Sequence, residues 1–567
     1  MLESFLAWVW IHLLLVIEAV LVALYAEAVF RNPDLGSRWF VRCEGFLGRL
    51  ARRKAASIVA VIASAVLLRA VIILFTPIPE PGIHDEFSNL LAADTFAHGR
   101  LTNPTHPMWV HFESFQIEHH PSYASMYPPG QGLVLALGER LGHPIIGVWI
   151  MGALMCGAIC WMLQGWFSPG WALLGAGLVV IRLATFNYWT NTYMVGALPA
   201  TGGALVFGAV GRMLRHRQAR DAIVLAVGIA LLLNSRPFEG AILSAAAVSI
   251  VSFHSIRHWT GLLAVTRRVV LPLALILVPT AALMGYYNWR VFGNPLTLPY
   301  QINRATYAMA GVFLWDTPGP APVYRHKVMA DYYTGWELGV VQEVRTVRGF
   351  LELTVEKLIG TWEFYIGPVL TIPLLVLPLI FRDRRVRPLL LMVGAFALAL
   401  FFETWFMPHY AAPVAAAIFA ILVQCLRHIR AWWWKGKPVG LAMVRMVPVV
   451  CVLMLGIRVT IGMLHLSVHL GWPNTWATIW TVPLGREKLI SELESQPGSH
   501  LVLVTYGPKH DPFREYVYNA ADIDQSRIVW ARDMGADGNR ALLEYFRGRQ
   551  VWKLEADTEP LRLVREK

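Results

Sequence analysis

The sequence predicts an all-α polytopic membrane protein that ends in a small α/β domain, and three observations support this prediction. Of its 567 residues, 56% are hydrophobic and 15% are charged, and the mean hydropathy is +0.49. A soluble protein of this size cannot bury that much apolar surface, so soluble, disordered and fibrous classes are excluded. About twelve apolar runs are long enough, or nearly so, to cross a bilayer, and basic residues cluster in alternate connections between them.

The first apolar run is too long for a signal-peptide core and no small-residue cleavage pattern follows it, so we expect a retained helix. The predicted spans lie at about 5–29, 55–76, 143–164, 170–187, 195–213, 221–235, 238–255, 268–288, 364–381, 388–405, 409–427 and 441–461. Basic connections lie at 31–54, 212–220, 257–268, 382–387 and 427–437. The positive-inside rule makes these connections cytoplasmic and the alternate ones external.

This topology predicts two regions. Residues 1–461 form the transmembrane region, with external loops at about 77–142 and 289–363, and residues 462–567 form a soluble external domain. In that domain, β-branched runs predict short strands and helical spacing predicts helices between them. The formal net charge of +12 therefore reflects topology, and we expect no nucleic-acid partner.

The cysteines give no indication of disulfides. All of them lie in apolar runs or in connections predicted to be cytoplasmic, and they are Cys43, Cys156, Cys160, Cys425 and Cys451. Disulfide bonds form on the oxidising side of the membrane, and no cysteine lies in a predicted external segment, so we expect none.

An acidic motif, His84-Asp-Glu86, begins the first external loop just after Pro and Gly residues that force a turn. The residues that follow have the apolar spacing of a helix lying on the membrane. Asp85 is a candidate general base, and Glu86 can orient the acceptor or hold a cation. The alternative is a helix cap, because Asp and Glu favour the first turn of a helix.

Further along this loop, several residues have metal-ligand chemistry. They are His84, His111, Glu118, His119 and His120. Their spacing matches no established zinc pattern, so roles as hydrogen-bonding loop residues are favoured and a divalent cation is left as an alternative. The stretch Tyr127-Pro-Pro-Gly130 predicts a stiff turn in the wall of a cavity, with Tyr127 facing the donor substrate.

Other polar groups lie where lipid would penalise them, at the external ends of predicted spans. Arg236 and Glu239 fall at the junction of two short spans and can pair with each other. An arginine at that depth needs an anion, and a lipid phosphate would serve. His409 and Tyr410 begin another span, and Arg290 and Arg304 in the second loop are further candidate phosphate ligands.

Together these features resemble the GT-C superfamily of membrane glycosyltransferases, in particular the branch of protein O-mannosyltransferases and the aminoarabinose transferase. The resemblance covers the chain in architecture and, at the residue level, His84-Asp-Glu86, Tyr127-Pro-Pro-Gly130 and Pro408-His-Tyr410. It implies that Asp85 is the base, that Glu86 supports it, and that the donor is a sugar on a polyprenyl phosphate. The chain departs from the family in having no second acid at 188–196 and an extra amino-terminal helix.

We therefore expect an inverting glycosyltransferase of a bacterial-type inner (plasma) membrane, with its active site and terminal domain outside the cytoplasm. Its partners would be membrane lipids, a polyprenyl-phosphate-linked sugar, and a lipid, glycan or protein acceptor. Cationic side chains would stabilise the departing phosphate. The alternatives are a transporter or flippase, for which Glu18 and Arg69 within apolar runs would matter, and a receptor-like or assembly protein.

Overall fold

The computed structural model describes residues 12–216, 218–258, 261–466, 475–478 and 484–566, without the side chain of Leu262. Each of the twelve predicted apolar runs coincides with helix. The start of the first run and Arg217 of the second basic connection lie outside the described residues. Within the described part, seven helices are long and apolar enough to cross a membrane, and Pro169–Leu183 and Arg387–Phe401 are shorter apolar helices. The count of twelve spans stays a prediction.

The helices are numbered in chain order, and helical turns of seven residues or fewer connect some of them. They are α1 Leu13–Arg31, α2 Ser37–Arg52, α3 Lys54–Ile72, α4 His84–Ala97, α5 Pro129–Arg140, α6 Pro144–Trp166, α7 Pro169–Leu183, α8 Ala197–Met213, α9 Ala219–Leu233, α10 Pro237–His258, α11 Leu271–Phe292, α12 Pro299–Tyr307, α13 Val347–Thr361, α14 Gly367–Leu374, α15 Arg387–Phe401, α16 Ala415–Arg430, α17 Val439–Met463, α18 Arg486–Glu494 and α19 Gly535–Tyr545.

The predicted span 364–381 is helical but broken. Gly367 has a positive φ of 62°, a conformation that L side chains rarely adopt, and α14 ends just after Pro373. By contrast, α6 runs unbroken through the centre of the bundle, where Met155, Cys156 and Ile159 are fully buried. The membrane region therefore has one continuous apolar core with an irregular helix at its side.

The charges inside apolar runs have protein partners. Glu18 forms a buried ion pair with Arg182 of α7. Arg69 donates to Asn191 Oδ1 at 2.6 Å and lies over the Trp149 ring, 4.8 Å from its centroid. Ionisable groups in a membrane are tolerated when they pair with one another or with polar groups in this way.

The carboxyl-terminal part folds as an α/β unit around a mixed sheet. The six strands among the described residues are β1 Ile117–Glu118, β2 Ala124–Ser125, β3 His500–Thr505, β4 Ile528–Arg532, β5 Gln550–Glu555 and β6 Arg562–Arg565. The larger sheet has the order β4-β3-β5-β6, in which β3 pairs in parallel with β4 and β5, and β6 is antiparallel to β5. Strand β3 is central and almost wholly buried, which explains its continuous apolar sequence.

This sheet unit and both long loops meet at one end of the helical bundle. Phe115 of the first loop packs with Val328 and Met329 of the second, and Phe513 of the sheet unit joins the same cluster. At the opposite end, Arg445 of α17 pairs with Glu44 of the first basic connection. The three segments predicted on one side of the membrane thus lie together.

One prediction about the first loop is wrong. Helix α4 does not lie on a membrane surface, because protein covers its apolar side chains. The Phe87 ring stacks on Tyr518 of the sheet unit with centroids 4.0 Å apart, and Leu90 packs with Leu135 of α5. The same amphipathic pattern therefore serves contacts with a neighbouring domain.

Candidate active site

Asp85 lies in the first turn of α4 and is half-buried, so a substrate can reach it. The phenolic hydroxyl of Tyr127 lies 2.6 Å from Asp85 Oδ1 and 3.0 Å from Gln116 Oε1. A hydroxyl has one proton, so it donates to the nearer acceptor, the carboxylate. Burial, followed by the charge of Asp85, raises the pKa of Tyr127 well above its usual value, which keeps the phenol protonated as a donor.

Gln116 holds this arrangement from a strained backbone position. Its φ is 58°, in the left-handed region that disfavours L side chains by about 1–2 kcal/mol. Its carbonyl oxygen accepts a hydrogen bond from the Ser88 hydroxyl of α4 at 2.6 Å. Strained non-glycine residues cluster at functional sites, so the strain beside Asp85 marks this loop as part of the site.

Glu86 anchors the start of α4. One carboxylate oxygen accepts the backbone N–H of Gly82 at 2.9 Å and of Ile83 at 3.3 Å, and the other accepts that of Tyr193 at 3.0 Å. Burial raises the pKa of Glu86 to about 7 despite these donors. The short loop at 188–196, which has no second acid, is thus fixed to Glu86 through the backbone of Tyr193. Because Glu86 holds the start of α4, it positions Asp85.

The turn that follows Tyr127 docks onto the loop that contains Arg236. The backbone N–H of Gly130 donates to the Asn234 carbonyl at 2.9 Å. A Cβ at Gly130 would lie 2.4 Å from that oxygen, so only glycine permits the approach. This contact brings the part of the site around Asp85 and the part around Arg236 together.

Arg236 forms the predicted ion pair with Glu239. Its guanidinium also lies over the ring of Tyr410, with Cζ 3.7 Å from the centroid. Its Nε is buried without a hydrogen-bond partner, which leaves a donor for an incoming anion. The charges of both Arg236 and Asp85 act on Tyr410, so all three residues lie in one neighbourhood.

His409 is hydrogen-bonded to Tyr188 through both its backbone and its ring. The Tyr188 hydroxyl accepts the His409 backbone N–H at 2.8 Å and lies 3.0 Å from Nδ1, to which it donates. The ring is buried, 3% exposed. His409 therefore fixes the start of the span Pro408–Arg430 against the loop before α8.

The two second-loop arginines occupy different places. Arg290 is exposed and donates to Tyr286 at 3.0 Å on its own helix, so it does not join the site. Arg304 pairs with the buried Glu337. Both Arg304 and Asp85 act electrostatically on Tyr332, whose pKa is raised well above its usual value by burial, then by Glu337 and Asp85. Arg304 thus lies at the edge of the site.

The five metal-ligand candidates do not form one ligand set. His84 Nε2 donates to the Pro512 carbonyl at 2.8 Å, and its ring is stacked on Phe115 with centroids 4.3 Å apart. Burial lowers the pKa of His119 to about 3 and raises that of Glu118 to about 8. His111 lies 3.4 Å from the Arg532 carbonyl, and His120 is exposed beside Trp109. Across the described ranges, the group with ligand atoms within 4.8 Å of one another is Asp94, His98 and Glu139.

Sequence reasoning missed Glu403 and Lys357. Glu403 is 4% exposed, and its electrostatic neighbours are Glu239, Arg236 and Lys357. Lys357 Nζ donates to the carbonyl oxygens of Leu400 and Glu403, each at 2.6 Å. A carboxylate inside the predicted apolar run 388–405 was the available signal for Glu403.

No protein-family model and no curated protein sequence matches the chain. Among solved structures it is similar to ArnT from Cupriavidus metallidurans bound to undecaprenyl phosphate, with 14% identity, a TM-score of 0.48, and coverage of 88% of this chain and 92% of ArnT. It is also similar to the Archaeoglobus fulgidus oligosaccharyltransferase with a tethered acceptor peptide, with 13% identity and a TM-score of 0.40. That match covers 80% of this chain and 62% of the oligosaccharyltransferase. Because both TM-scores are below 0.5, the function proposed below rests on the residues of the site.

Proposed function

We propose that this chain is an inverting glycosyltransferase that moves a hexosyl or pentosyl group from a polyprenyl phosphate to an acceptor outside the cytoplasm of a bacterial-type cell. The observation that carries the proposal is the docking of Gly130 on Asn234, because it joins an accessible carboxylate to a half-buried arginine. These are the two groups that such a transfer needs, a base and a cation for the phosphate.

In the proposed reaction, Asp85 accepts the proton of an acceptor hydroxyl or amine. The acceptor atom forms a bond to the anomeric carbon, and the bond from that carbon to the phosphate oxygen breaks. The electron pair of that bond leaves with the carrier phosphate, whose charge Arg236 stabilises. Tyr127 orients Asp85 through its hydrogen bond of 2.6 Å.

The acceptor side of the site is assigned to the sheet unit and the second loop. Phe513 stacks on His84, next to Asp85, with ring centroids 5.7 Å apart. Trp336 and Trp405 stack on each other at 5.4 Å, and Trp336 also contacts Phe513. Aromatic rings of this kind suit a lipid, glycan or protein acceptor, and the sheet unit would contribute to its recognition.

The charge distribution supports a transferase over a transporter or flippase. A carrier needs polar groups near the middle of the membrane that are free to bind substrate. Here Glu18 is paired with Arg182, and Arg69 donates to Asn191 although its Nε and Nη2 have no hydrogen-bond partner. Asp85 and Arg236, which are half-buried, lie instead at the end of the bundle where the loops meet.

The test is carrier-phosphate release by the purified full-length protein in lipid discs, given a panel of polyprenyl-phosphate sugars and candidate acceptors. Release from one donor, lost in Asp85→Asn and retained in Asp331→Asn, is the expected result. Asp331 is a suitable control because it is an exposed carboxylate of the second loop that pairs with Lys327. Release that is equal in Asp85→Asn and the unmodified protein would refute the assignment. Divalent cations and a chelator belong in the same panel.

A further inference from the structure

Backbone hydrogen bonds hold the segment that contains Glu403. The backbone N–H of Leu314 donates to the Phe402 carbonyl at 3.0 Å, and that of Thr404 donates to the Val312 carbonyl at 2.9 Å. Lys357 fixes the same turn through the Glu403 carbonyl. Glu403 is 4% exposed, and its Oε2 has no hydrogen-bond partner.

Charged and titratable groups face Glu403 from every neighbouring element. They are Arg236 and Glu239 at the start of α10, Tyr300 of α12, Lys357 of α13 and Tyr410 before α16. The turn that pairs with residues 402–404 also contains Asp316. Asp316 accepts the backbone N–H groups of Val312 and Phe313 at 2.9 and 3.0 Å. The Nζ of Lys357 donates hydrogen bonds to backbone carbonyl oxygens.

Two buried carboxylates therefore lie within electrostatic range of one guanidinium. Glu239 has the ion pair with Arg236, and Glu403 has an unpartnered oxygen. Burial, and then the charge of Glu239, raises the pKa of Glu403 to about 8. An anion that binds Arg236 adds a third negative charge to this cluster, which further favours the protonated form of Glu403.

We propose that Glu403 must be protonated for a carrier phosphate to bind at Arg236, and that it takes up this proton from solvent wherever it is still ionised, so that phosphate affinity is coupled to the neutralisation of this carboxylate. The proposal deepens the proposed function and rests on it. Glu403 acts through Arg236 and Glu239, and is therefore a positioning residue. No bond other than that to the proton is formed or broken.

The coupling fixes the sign of the pH dependence. Below a pH of about 8, Glu403 is protonated in the empty site and phosphate affinity is at its plateau. Above that pH the carboxylate is ionised, and each phosphate that binds must be accompanied by a proton. Affinity then falls by up to about tenfold for each pH unit, until the pH passes the higher pKa of the occupied site.

The test is the Kd of undecaprenyl phosphate for the full-length protein in lipid discs between pH 6.5 and 9.5. The unmodified protein should lose about tenfold in affinity for each pH unit above 8. Glu403→Gln should bind with the plateau affinity throughout. The matched control Glu352→Gln, an exposed carboxylate that pairs with Arg348, should keep the unmodified profile. The ligand's own second ionisation, with a pKa of about 6, is essentially complete by pH 8, where the fall of affinity begins.

The same fall of affinity in Glu403→Gln would overturn the inference and assign the titration to another group, such as Lys357, whose pKa burial lowers to about 8. If that variant does not fold, proton uptake can be measured on the unmodified protein. Calorimetry at pH 8 in buffers of different ionisation enthalpy should show about half a proton taken up per phosphate bound. No uptake would overturn the inference, whereas no binding at any pH would refute the proposed function itself.

Discussion

Two groups of ionisable side chains, one deep in the helical bundle and one at its outer end, differ in how completely the protein satisfies their carboxylates. The deep pair is Glu18 and Arg182. One Glu18 oxygen accepts from Arg182 and from the Val369 N–H at 3.1 Å, and the other accepts from Arg182 at 3.4 Å and Trp476 Nε1 at 3.0 Å. In the outer site, by contrast, Glu403 Oε2 has no donor and Asp85 is open to substrate.

This difference distinguishes side chains that stabilise the fold from side chains that serve binding and turnover. A buried carboxylate with four donors is stable only in the folded arrangement that supplies them, so the deep pair joins α1, α7 and the residues beside α14. A buried carboxylate without a donor is costly unless it is protonated or a ligand completes its environment. Changes to the deep pair should therefore alter stability, and changes to the outer site should alter binding and turnover.

The largest effect is expected from Asp85→Asn. The amide cannot accept the acceptor's proton, so the turnover number should fall about 10²- to 10⁴-fold. The melting temperature in lipid discs should stay close to that of the unmodified protein, because Asp85 is half-buried and has one hydrogen bond to Tyr127. A large loss of stability with unchanged turnover would place Asp85 with the deep pair.

Arg182→Met should have the opposite signature. It leaves the Glu18 carboxylate buried without its cation, which costs about 3–5 kcal/mol of unfolding free energy. The matched control is Arg31→Met, since Arg31 forms an exposed pair with Glu27 and its loss should cost at most about 0.5 kcal/mol. Thermal unfolding of the two variants gives the comparison. Equal melting temperatures would contradict the structural role of the deep pair.

Arg236→Ala is expected to weaken carrier-phosphate binding about 10- to 100-fold, as the loss of a charge-assisted contact predicts. Arg348→Ala removes an exposed arginine of the second loop and should leave the Kd unchanged. The Kd of undecaprenyl phosphate measures both. If the two variants bind equally well, Arg236 is not the phosphate ligand.

The same contrast shows what the sequence could predict. The positions of the helices follow from local hydropathy, so all twelve apolar runs coincide with helix. The amphipathic pattern of α4 showed an apolar face, but the pattern cannot distinguish lipid from the sheet unit that covers Phe87. The chemistry of His84 indicated a ligand, whereas its surroundings make it a stacked ring bound to Pro512.

Within the site, residues near one another in sequence were predictable and distant contacts were not. Asp85 and Arg236 could be proposed individually, because each is a charge at the end of an apolar run. Their approach depends on Gly130 and Asn234, and the environment of Glu403 depends on several segments distant in sequence. The number of donors around a carboxylate, which separates the deep pair from the outer site, is a property of tertiary structure.

The smallest effect concerns how firmly the outer site holds its base. Tyr127→Phe removes the hydrogen bond of 2.6 Å to Asp85 and leaves the ring in place. One positioning hydrogen bond contributes about 0.5–1.5 kcal/mol, so the turnover number should fall about two- to tenfold, with little change in the Kd of the carrier phosphate. The control Tyr545→Phe alters a tyrosine on α19, remote in sequence and bonded to Asp524, and should leave the rate unchanged. A loss as large as that of Asp85→Asn would show that the phenol itself transfers the proton, and no loss would show that Asp85 is oriented by the backbone and Glu86 alone.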